Sequence, residues 1–224
     1  RYVSRVLASP HDPATAFVAK SGFRDDDFRP FLYRTEDYGE SWTKITDGIS
    51  DHILSFTRSI LEDPVRPGLI FLGTENRMYV SFNDGDDWQP FINNMPPSPM
   101  YGIAIQEHFG DLVIGTYGRG FWIMDDLTPL QQLTDAVMAS SAHLFEPRNA
   151  YRFNNRTAPA SMRIDMSVGE NPMNAAFINY WLSPDVAGSP VTVRVNDATG
   201  ALVRTLSGTS AEGINRIYWD FLGE

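Results

Sequence analysis

The chain repeats one short pattern at two places, and this internal repeat constrains its fold more than any other feature. Residues 35–42 read Thr-Glu-Asp-Tyr-Gly-Glu-Ser-Trp, and residues 81–88 read Ser-Phe-Asn-Asp-Gly-Asp-Asp-Trp. A repeat of about 45 residues that holds four short strands is typical of one blade of a β-propeller. A third copy follows the second but lacks the Gly and Trp of the turn. In its alignment with the second copy, Ile114-Gly115-Thr116 matches Leu72-Gly73-Thr74, Arg119 matches Arg77, and Phe121 matches Tyr79.

Short apolar runs between turn-forming residues predict about three blades within residues 1–127. Three blades would leave the outer sheet faces uncovered, because a closed propeller needs ~4–8 of them. We therefore expect upstream blades of the same protein, and the chain to be part of a longer one. The predicted strands are 2–8, 16–20, 31–35 and 42–46 in the first blade, 53–61, 69–73, 78–82 and 88–92 in the second, and 101–106, 112–115 and 121–124 in the third.

The two eight-residue patterns, which we call the repeat turns, are expected to be structural. The Gly tolerates a positive φ, the Asp or Asn and the hydroxyl residue accept hydrogen bonds from turn amides, and the Trp packs under the turn. The structural residues are Thr35, Asp37, Gly39, Trp42, Ser81, Asn83, Gly85 and Trp88. The alternatives are catalysis by Asp37 and calcium binding by Asp84, Asp86 and Asp87, but that acidic run lacks the terminal Glu of a helix-loop-helix site. We predict no metal and no cofactor.

Three stretches resemble a known family. Residues 28–39, 71–75 and above all 115–126 (Gly-Thr-Tyr-Gly-Arg-Gly-Phe-Trp-Ile-Met-Asp-Asp) resemble the last blades of bacterial "glycosyl hydrolase"-like proteins with Asp-box (BNR) repeats, of the sortilin N-terminal-domain type. The resemblance implies a β-propeller and an extracytoplasmic setting, which is secreted, periplasmic or at the cell surface. That family often has His where this chain has Tyr117, so no role of that His is transferred. The hydrolase label follows the repeat and does not establish chemistry.

The loops at the end opposite the repeat turns are the expected binding end, as in propellers generally. The ligand-binding candidates there are Arg24, Arg29, Asn76, Tyr117 and Arg119. Glycoside hydrolysis needs two carboxylates ~5–9 Å apart across a groove, and the candidates are Asp25, Asp26, Asp27 and Glu75. The structural alternatives are a solvated, self-paired loop over residues 21–30 and an Arg119 that bridges adjacent blades.

The remainder of the chain changes pattern. Thr128 and Pro129 predict the N-cap and first residue of a short helix that continues over residues 130–139. Residues 140–152 are predicted to be extended and residues 154–172 to form a linker. Predicted strands at 176–182, 191–195, 202–206 and 213–221 indicate an antiparallel β-sandwich.

That sandwich resembles the immunoglobulin-like domain related to the flagellar-hook capping protein, through residues 169–172, 178–182 and 213–220. The predicted class is all-β: a partial propeller at 1–127, a helix and linker at 128–153, and a truncated sandwich at 154–224. Such domains usually act as spacers or as contacting modules on secreted bacterial proteins.

Composition excludes several partner classes. The net charge of −10 disfavours nucleic acid and anionic membranes, and the absence of Cys excludes disulfides and zinc–thiolate sites. No apolar run is long enough to span a bilayer, and no signal peptide follows Arg1. We predict an extracytoplasmic propeller that binds a polypeptide or a carbohydrate, followed by a sandwich spacer. The alternative is a glycoside hydrolase that uses groove carboxylates; the present chain alone is expected to be inactive under either hypothesis.

Overall fold

The computed structural model describes residues 2–152 and 172–223. The protein is all-β and divides into two compact units, Arg1–Leu127 and Thr128–Glu224. Every strand pair in both units is antiparallel. No helix in the described part of the chain is long and apolar enough to cross a membrane.

The first unit contains three consecutive antiparallel sheets, which is the blade arrangement of a partial β-propeller. Neighbouring strands in each sheet are also neighbours in sequence, so each sheet is a meander. The first sheet comprises β1 (Tyr2–Ala8), β2 (Ala16–Gly22), β3 (Asp27–Thr35) and β4 (Thr43–Lys44). The second comprises β5 (Thr57–Glu62), β6 (Ile70–Thr74), β7 (Met78–Ser81) and β8 (Gln89–Phe91). The third comprises β9 (Met100–Gln106), β10 (Asp111–Thr116) and β11 (Phe121–Met124).

The third sheet shows that the predicted alignment of Tyr79 with Phe121 was wrong by one position. In the second sheet Gly73 pairs with Met78, whereas in the third Gly115 pairs with Phe121. The β10–β11 turn is therefore one residue longer than the β6–β7 turn. Phe121 consequently occupies the position of Met78.

The core of the first unit lies where the first two sheets face each other. Phe17 and Leu32 of the first sheet and Ile60, Leu72 and Tyr79 of the second are almost fully buried in one cluster. Their strands are apolar because both faces are covered, which removes the polar alternation of an exposed sheet. Burial of these side chains is what stabilises the sheet-to-sheet contact.

Hydroxyl side chains of β5 join the second sheet to both neighbours. Thr57 Oγ1 lies 2.9 Å from the Lys20 carbonyl of the first sheet, and Ser59 Oγ donates to the Met100 carbonyl of the third at 2.8 Å. Both side chains are buried, and these hydrogen bonds replace those that each hydroxyl would otherwise make with water. These bonds fix the three sheets against one another near one end.

Several predicted boundaries in this unit were wrong. The predicted loop at 21–30 is mostly strand, because β2 runs to Gly22 and β3 begins at Asp27, leaving a tight turn over Phe23–Asp25 and Asp26. The strand predicted at 53–61 begins only at Thr57, since Ile53 and Leu54 lie exposed in the linker. The fourth strands are shorter than predicted because the repeat turns extend as far as their Trp residues.

The second unit begins with two short helices, α1 (Thr128–Gln132) and α2 (Asp135–Met138), where one was predicted. The helix breaks at Thr134, whose extended backbone caps α2 and whose hydroxyl accepts a hydrogen bond from the Val137 amide. Part of the stretch predicted to be extended forms a strand, β12 (Ala142–Leu144), whose pairing with β13 the sequence did not predict. The predicted linker at 154–172 lies outside the described residues except for Pro172.

Two sheets pack into a sandwich in this unit. One has the order β12–β13–β16 and the other pairs β14 with β15. Tyr180, Leu182 and Ile217 of the first sheet pack against Val193 and Leu206 of the second. The remaining strands are β13 (Ala176–Leu182), β14 (Val191–Asn196), β15 (Leu202–Gly208) and β16 (Gly213–Trp219).

Candidate functional site

The first repeat turn is closed by its own side chains. Thr35 Oγ1 donates to Asp37 Oδ1 at 2.7 Å and accepts from the Gly39 amide at 2.9 Å. Asp37 also accepts from the amide and the hydroxyl of Ser41. These bonds, with those of Ser41 the strongest, lower the pKa of Asp37 to about 2. The carboxylate is thus engaged within its turn, which leaves it poorly suited to accept or donate a catalytic proton.

The second repeat turn has the same geometry with Asn in place of Asp. Ser81 Oγ donates to Asn83 Oδ1 and accepts from the Gly85 amide, both at 2.9 Å. The carboxylates considered for calcium have protein partners: Asp86 pairs with Arg34 at 3.1 Å, and Asp87 accepts from Asn83 Nδ2 at 3.1 Å. Within residues 2–152 and 172–223, no three His, Cys, Asp or Glu side chains are grouped so that they could hold a metal ion.

The two Trp residues of the repeat turns differ in burial. Trp88 is 4% exposed and donates its Nε1 hydrogen to the Ile45 carbonyl of the first blade at 3.1 Å. Trp42 is 43% exposed and donates to Gly39 within its own turn. Trp42 thus packs against Gly39 of its own turn, as predicted, but it stays far more exposed than Trp88, which also lies against the first blade.

The opposite end of the three sheets carries the β2–β3, β6–β7 and β10–β11 turns and the linkers between sheets. We call this the loop end. An antiparallel meander places alternate turns at opposite ends, so the repeat turns, which join third and fourth strands, are at the other end. The candidate site residues at 24–29, 75–76 and 117–119 lie in or next to the three loop-end turns.

Arg58 of β5 is the centre of an aromatic cluster at the loop end. Its guanidinium carbon lies 4.7 Å from the ring centres of both Phe56 and Tyr101, and 5.0 Å from that of Phe23. Its Nη1 donates to the Tyr2 hydroxyl at 3.2 Å. The Arg58 cluster, defined as Tyr2, Phe23, Phe56, Arg58, Glu75 and Tyr101, therefore contains residues from all three sheets and their adjoining turns.

Glu75, one of the catalytic candidates, belongs to this cluster as an ion-pair partner. Its Oε2 accepts from Arg58 Nε at 2.6 Å, and both side chains are largely buried. A charge-assisted hydrogen bond of this kind uses the carboxylate as an anion. A general acid has to carry a proton, so the geometry gives Glu75 a positioning role toward Arg58 rather than that of a proton donor.

The acidic run at 25–27 forms the tip and start of the β2–β3 hairpin. Asp26 adopts a left-handed conformation with φ of 55°. Asp27 pairs with Arg29 through two hydrogen bonds at 2.9 and 2.8 Å, which raises the pKa of Arg29. Arg24 instead stacks over the Tyr2 ring at 5.2 Å. The run thus pairs partly with itself, and Arg24 extends the aromatic surface.

Tyr117 and Arg119 lie on the β10–β11 turn. The Tyr117 ring is 73% exposed and packs 5.7 Å from the Tyr101 ring at an angle of 36°. The turn is held by Thr116, whose hydroxyl donates to the Gly120 carbonyl and accepts from the Arg119 amide. Among the described residues, the Arg119 guanidinium has no hydrogen-bond or ion-pair partner, so the predicted bridge between blades is not seen there. Asn76 lies on the equivalent turn of the second sheet and accepts from Ser98 through its carbonyl.

Sequence reasoning missed most of the Arg58 cluster. Tyr2, Phe23, Phe56, Arg58 and Tyr101 were assigned to strands or linkers and not to a site. Each lies at or near the end of a strand on the loop-end side, and this position within the repeat could have indicated that the side chains lie close together. Aromatic residues at strand termini are also common in ordinary cores, and the sequence alone does not distinguish the two cases.

Comparison with known proteins gives no family assignment. No protein-family model and no curated protein matches the chain. Among solved structures, 92% of the chain aligns with 27% of an ancestral GH74 enzyme (17% identity, TM-score 0.46) and with 30% of the GH74 enzyme of Niastella koreensis (14% identity, TM-score 0.46). In addition, 87% of the chain aligns with 50% of YCF48 bound to the D1 peptide (13% identity, TM-score 0.33). The chain therefore spans less than a third of each GH74 enzyme, and likenesses this distant do not bear on its function.

Proposed function

We propose that the first unit belongs to an extracytoplasmic propeller-type module that binds a polypeptide or a glycan at the loop end. The observation that carries this proposal is the Arg58 cluster and its exposed extension, the packed pair of rings Tyr101 and Tyr117. Exposed aromatic rings over a pre-ordered base bury a large area at small entropic cost, which is why they dominate binding sites. The proposed role of the second unit is that of a spacer.

Binding is favoured over hydrolysis by the ion pairs that two of the four candidate carboxylates form. Glu75 is paired with Arg58 and Asp27 with Arg29. Retaining and inverting glycosidases both need one carboxyl group that is free to carry a proton. These ion pairs support the reading of the acidic residues as parts of the scaffold that positions the arginines and aromatic rings.

The outer faces of the first unit support the proposal that further blades of the same protein complete the module. Val3 and Val6 are exposed on the first sheet, and Phe121 and Ile123 on the third. Phe121 and Ile123 both project from β11, where they alternate with half-buried residues. Large apolar side chains grouped on a sheet face indicate a surface that is normally covered.

The binding proposal is tested by selecting ligands from a random peptide display library and from a glycan array with the whole chain. We expect a ligand class that is retained by the wild type and lost, by about ten-fold or more in affinity, on Tyr101→Ala. Tyr38→Ala is the matched control, because Tyr38 is a 79% exposed tyrosine in the first repeat turn at the other end. Equal losses for the two variants, or no selected ligand in either library, would contradict the proposal.

The hydrolase alternative needs a separate measurement. Because the present chain alone is expected to be inactive under either hypothesis, this measurement uses the longer protein that includes the proposed further blades. Every glycan that this longer protein retains should be recovered intact after prolonged incubation. Turnover that Glu75→Gln abolishes, with glycan binding preserved, would replace the binding proposal by the hydrolase hypothesis.

A further inference from the structure

A pocket at the border of the second and third sheets lies outside the Arg58 cluster. It lies under the linker that joins β8 to β9. Most of its lining residues are apolar, and three are methionines. The lining residues are Asn76, Arg77, Met78, Phe91, Ile92, Met95, Pro96, Pro97 and Met100.

The floor of this pocket is rigid and its cover is a short linker. Met78 and Met100 are fully buried, and Phe91 packs 5.8 Å from the buried ring of Phe71. The linker is tied back by a hydrogen bond from the Met95 amide to Ile92 and another from the Ser98 amide to Asn76. Flexible thioether side chains adapt to aliphatic groups of different shape, so such a lining suits one apolar side chain.

Arg77 supplies the charge of the pocket. Within the described residues its guanidinium has no hydrogen-bond or ion-pair partner, and its side chain is half-buried. The carboxylate of Glu75, two residues away, is already paired with Arg58. The rim of the pocket therefore carries a positive charge that no neighbouring carboxylate neutralises.

We propose that this pocket binds an aliphatic side chain of a polypeptide, with an adjacent carboxylate of the same polypeptide on Arg77. The inference rests on the proposed function and selects polypeptide over glycan as its ligand. A sugar would lose hydration of its hydroxyl groups against methionine, proline and phenylalanine without recovering hydrogen bonds.

The test uses N-acetyl-leucine, which carries an isobutyl group beside a carboxylate, and methyl-labelled methionine in the whole chain. Titration should shift the methyl resonances of Met95 and Met100 to saturation with a dissociation constant on the order of 1 mM. The exposed methyls of Met138 and Met173 in the second unit are internal references and should not move. N-acetyl-leucine amide should bind about three-fold more weakly because it lacks the charge, and N-acetyl-glycine and cellobiose should not bind.

Arg77→Gln should bring the affinity for N-acetyl-leucine down to that of the amide, whereas Arg5→Gln, at an exposed arginine of β1, should leave it unchanged. Unshifted Met95 and Met100 resonances, equal shifts at the reference methyls, or equal shifts with cellobiose would overturn the inference. The proposed function is tested separately, by the ligand whose binding depends on Tyr101. If that ligand binds but leaves the pocket empty, only the inference about the pocket is refuted.

Discussion

The indole of Trp88 donates its Nε1 hydrogen to the carbonyl of Ile45 at 3.1 Å, so the turn that closes the second blade also clamps the first. Ile45 contacts this turn a second time, since a Cβ on Gly85 would lie 2.6 Å from Ile45 Cδ1. The repeat turn is thus a contact between blades as well as a hairpin closure. This relationship gives the Gly and Trp of the second repeat turn a role between blades.

Truncation of Trp88 should cost far more stability than truncation of Trp42. Trp88→Ala removes a buried indole and its hydrogen bond, and we expect a loss of about 3–5 kcal/mol in the free energy of unfolding. Trp42→Ala should cost no more than about 2 kcal/mol, because that ring is 43% exposed. Urea unfolding of both variants measures the difference. Equal losses would show that the contact of Trp88 with the first blade adds no stability.

Gly48 should be far less replaceable than a glycine with the same backbone conformation elsewhere. Gly48 and Gly118 both have φ of 88°, but a Cβ on Gly48 would lie 2.0 Å from the Trp88 carbonyl oxygen, while a Cβ on Gly118 meets nothing within 4 Å. Gly118→Ala should therefore cost about 1 kcal/mol from backbone strain alone. Gly48→Ala should cost at least about 2 kcal/mol more. Thermal unfolding of the two variants is the measurement, and similar midpoints would contradict the close contact.

Arg58 and Glu75 should be coupled energetically. Arg58→Met leaves the largely buried Glu75 without its 2.6 Å partner, and Glu75→Gln removes the charge on the other side. A double-mutant cycle on urea unfolding should give a coupling of about 1–3 kcal/mol, so that the double variant is more stable than the two single losses predict. Strict additivity of the two losses would mean that the ion pair does not organise the cluster.

Asp37 should make the first unit sensitive to acid. Its pKa is lowered from 3.8 to about 2 by hydrogen bonds from Ser41 and Thr35. A lowered folded-state pKa stabilises the fold above the unfolded value, and this contribution is lost as the pH falls from about 4 through about 2. Asp37→Asn, which copies the natural Asn83 of the second turn, should flatten the pH dependence of stability in that window, so that the variant is less stable than the wild type at pH 7 and approaches it below about pH 2. An unchanged slope in the variant would show that Asp37 titrates normally.

Most of the fold could be predicted from residue patterns. β1, β11 and β13 begin and end where the apolar alternation predicts, and the strands on either side of the repeat turns follow from the turns themselves. The errors have local causes. The helical pattern over 130–139 did not reveal that Thr134 caps a second helix, and β12 is stabilised by its pairing with β13 rather than by its own sequence.

The candidate site was less predictable than the fold. Repeat register placed Tyr117 and Glu75 at one end, and the structure puts the turns that carry them at the loop end. The repeat register did not reveal the partner of Glu75. Arg58 is distant from Glu75 in sequence, and the two residues meet only because β5 pairs with β6. The aromatic rings around Arg58 come from three sheets, and their convergence depends on packing between blades, which no single-sequence pattern encodes.

Photo-cross-linking tests directly whether the ligand binds at the loop end. The ligand selected by the wild-type chain is incubated with two variants that carry p-benzoylphenylalanine, one in place of Tyr117 at the loop end and one in place of Tyr38 in the first repeat turn. Both positions are highly exposed, at 73% and 79%, so reactivity is matched. We expect a covalent adduct from position 117 and none from position 38. Adducts from position 38 alone, or from both positions equally, would contradict binding at the loop end.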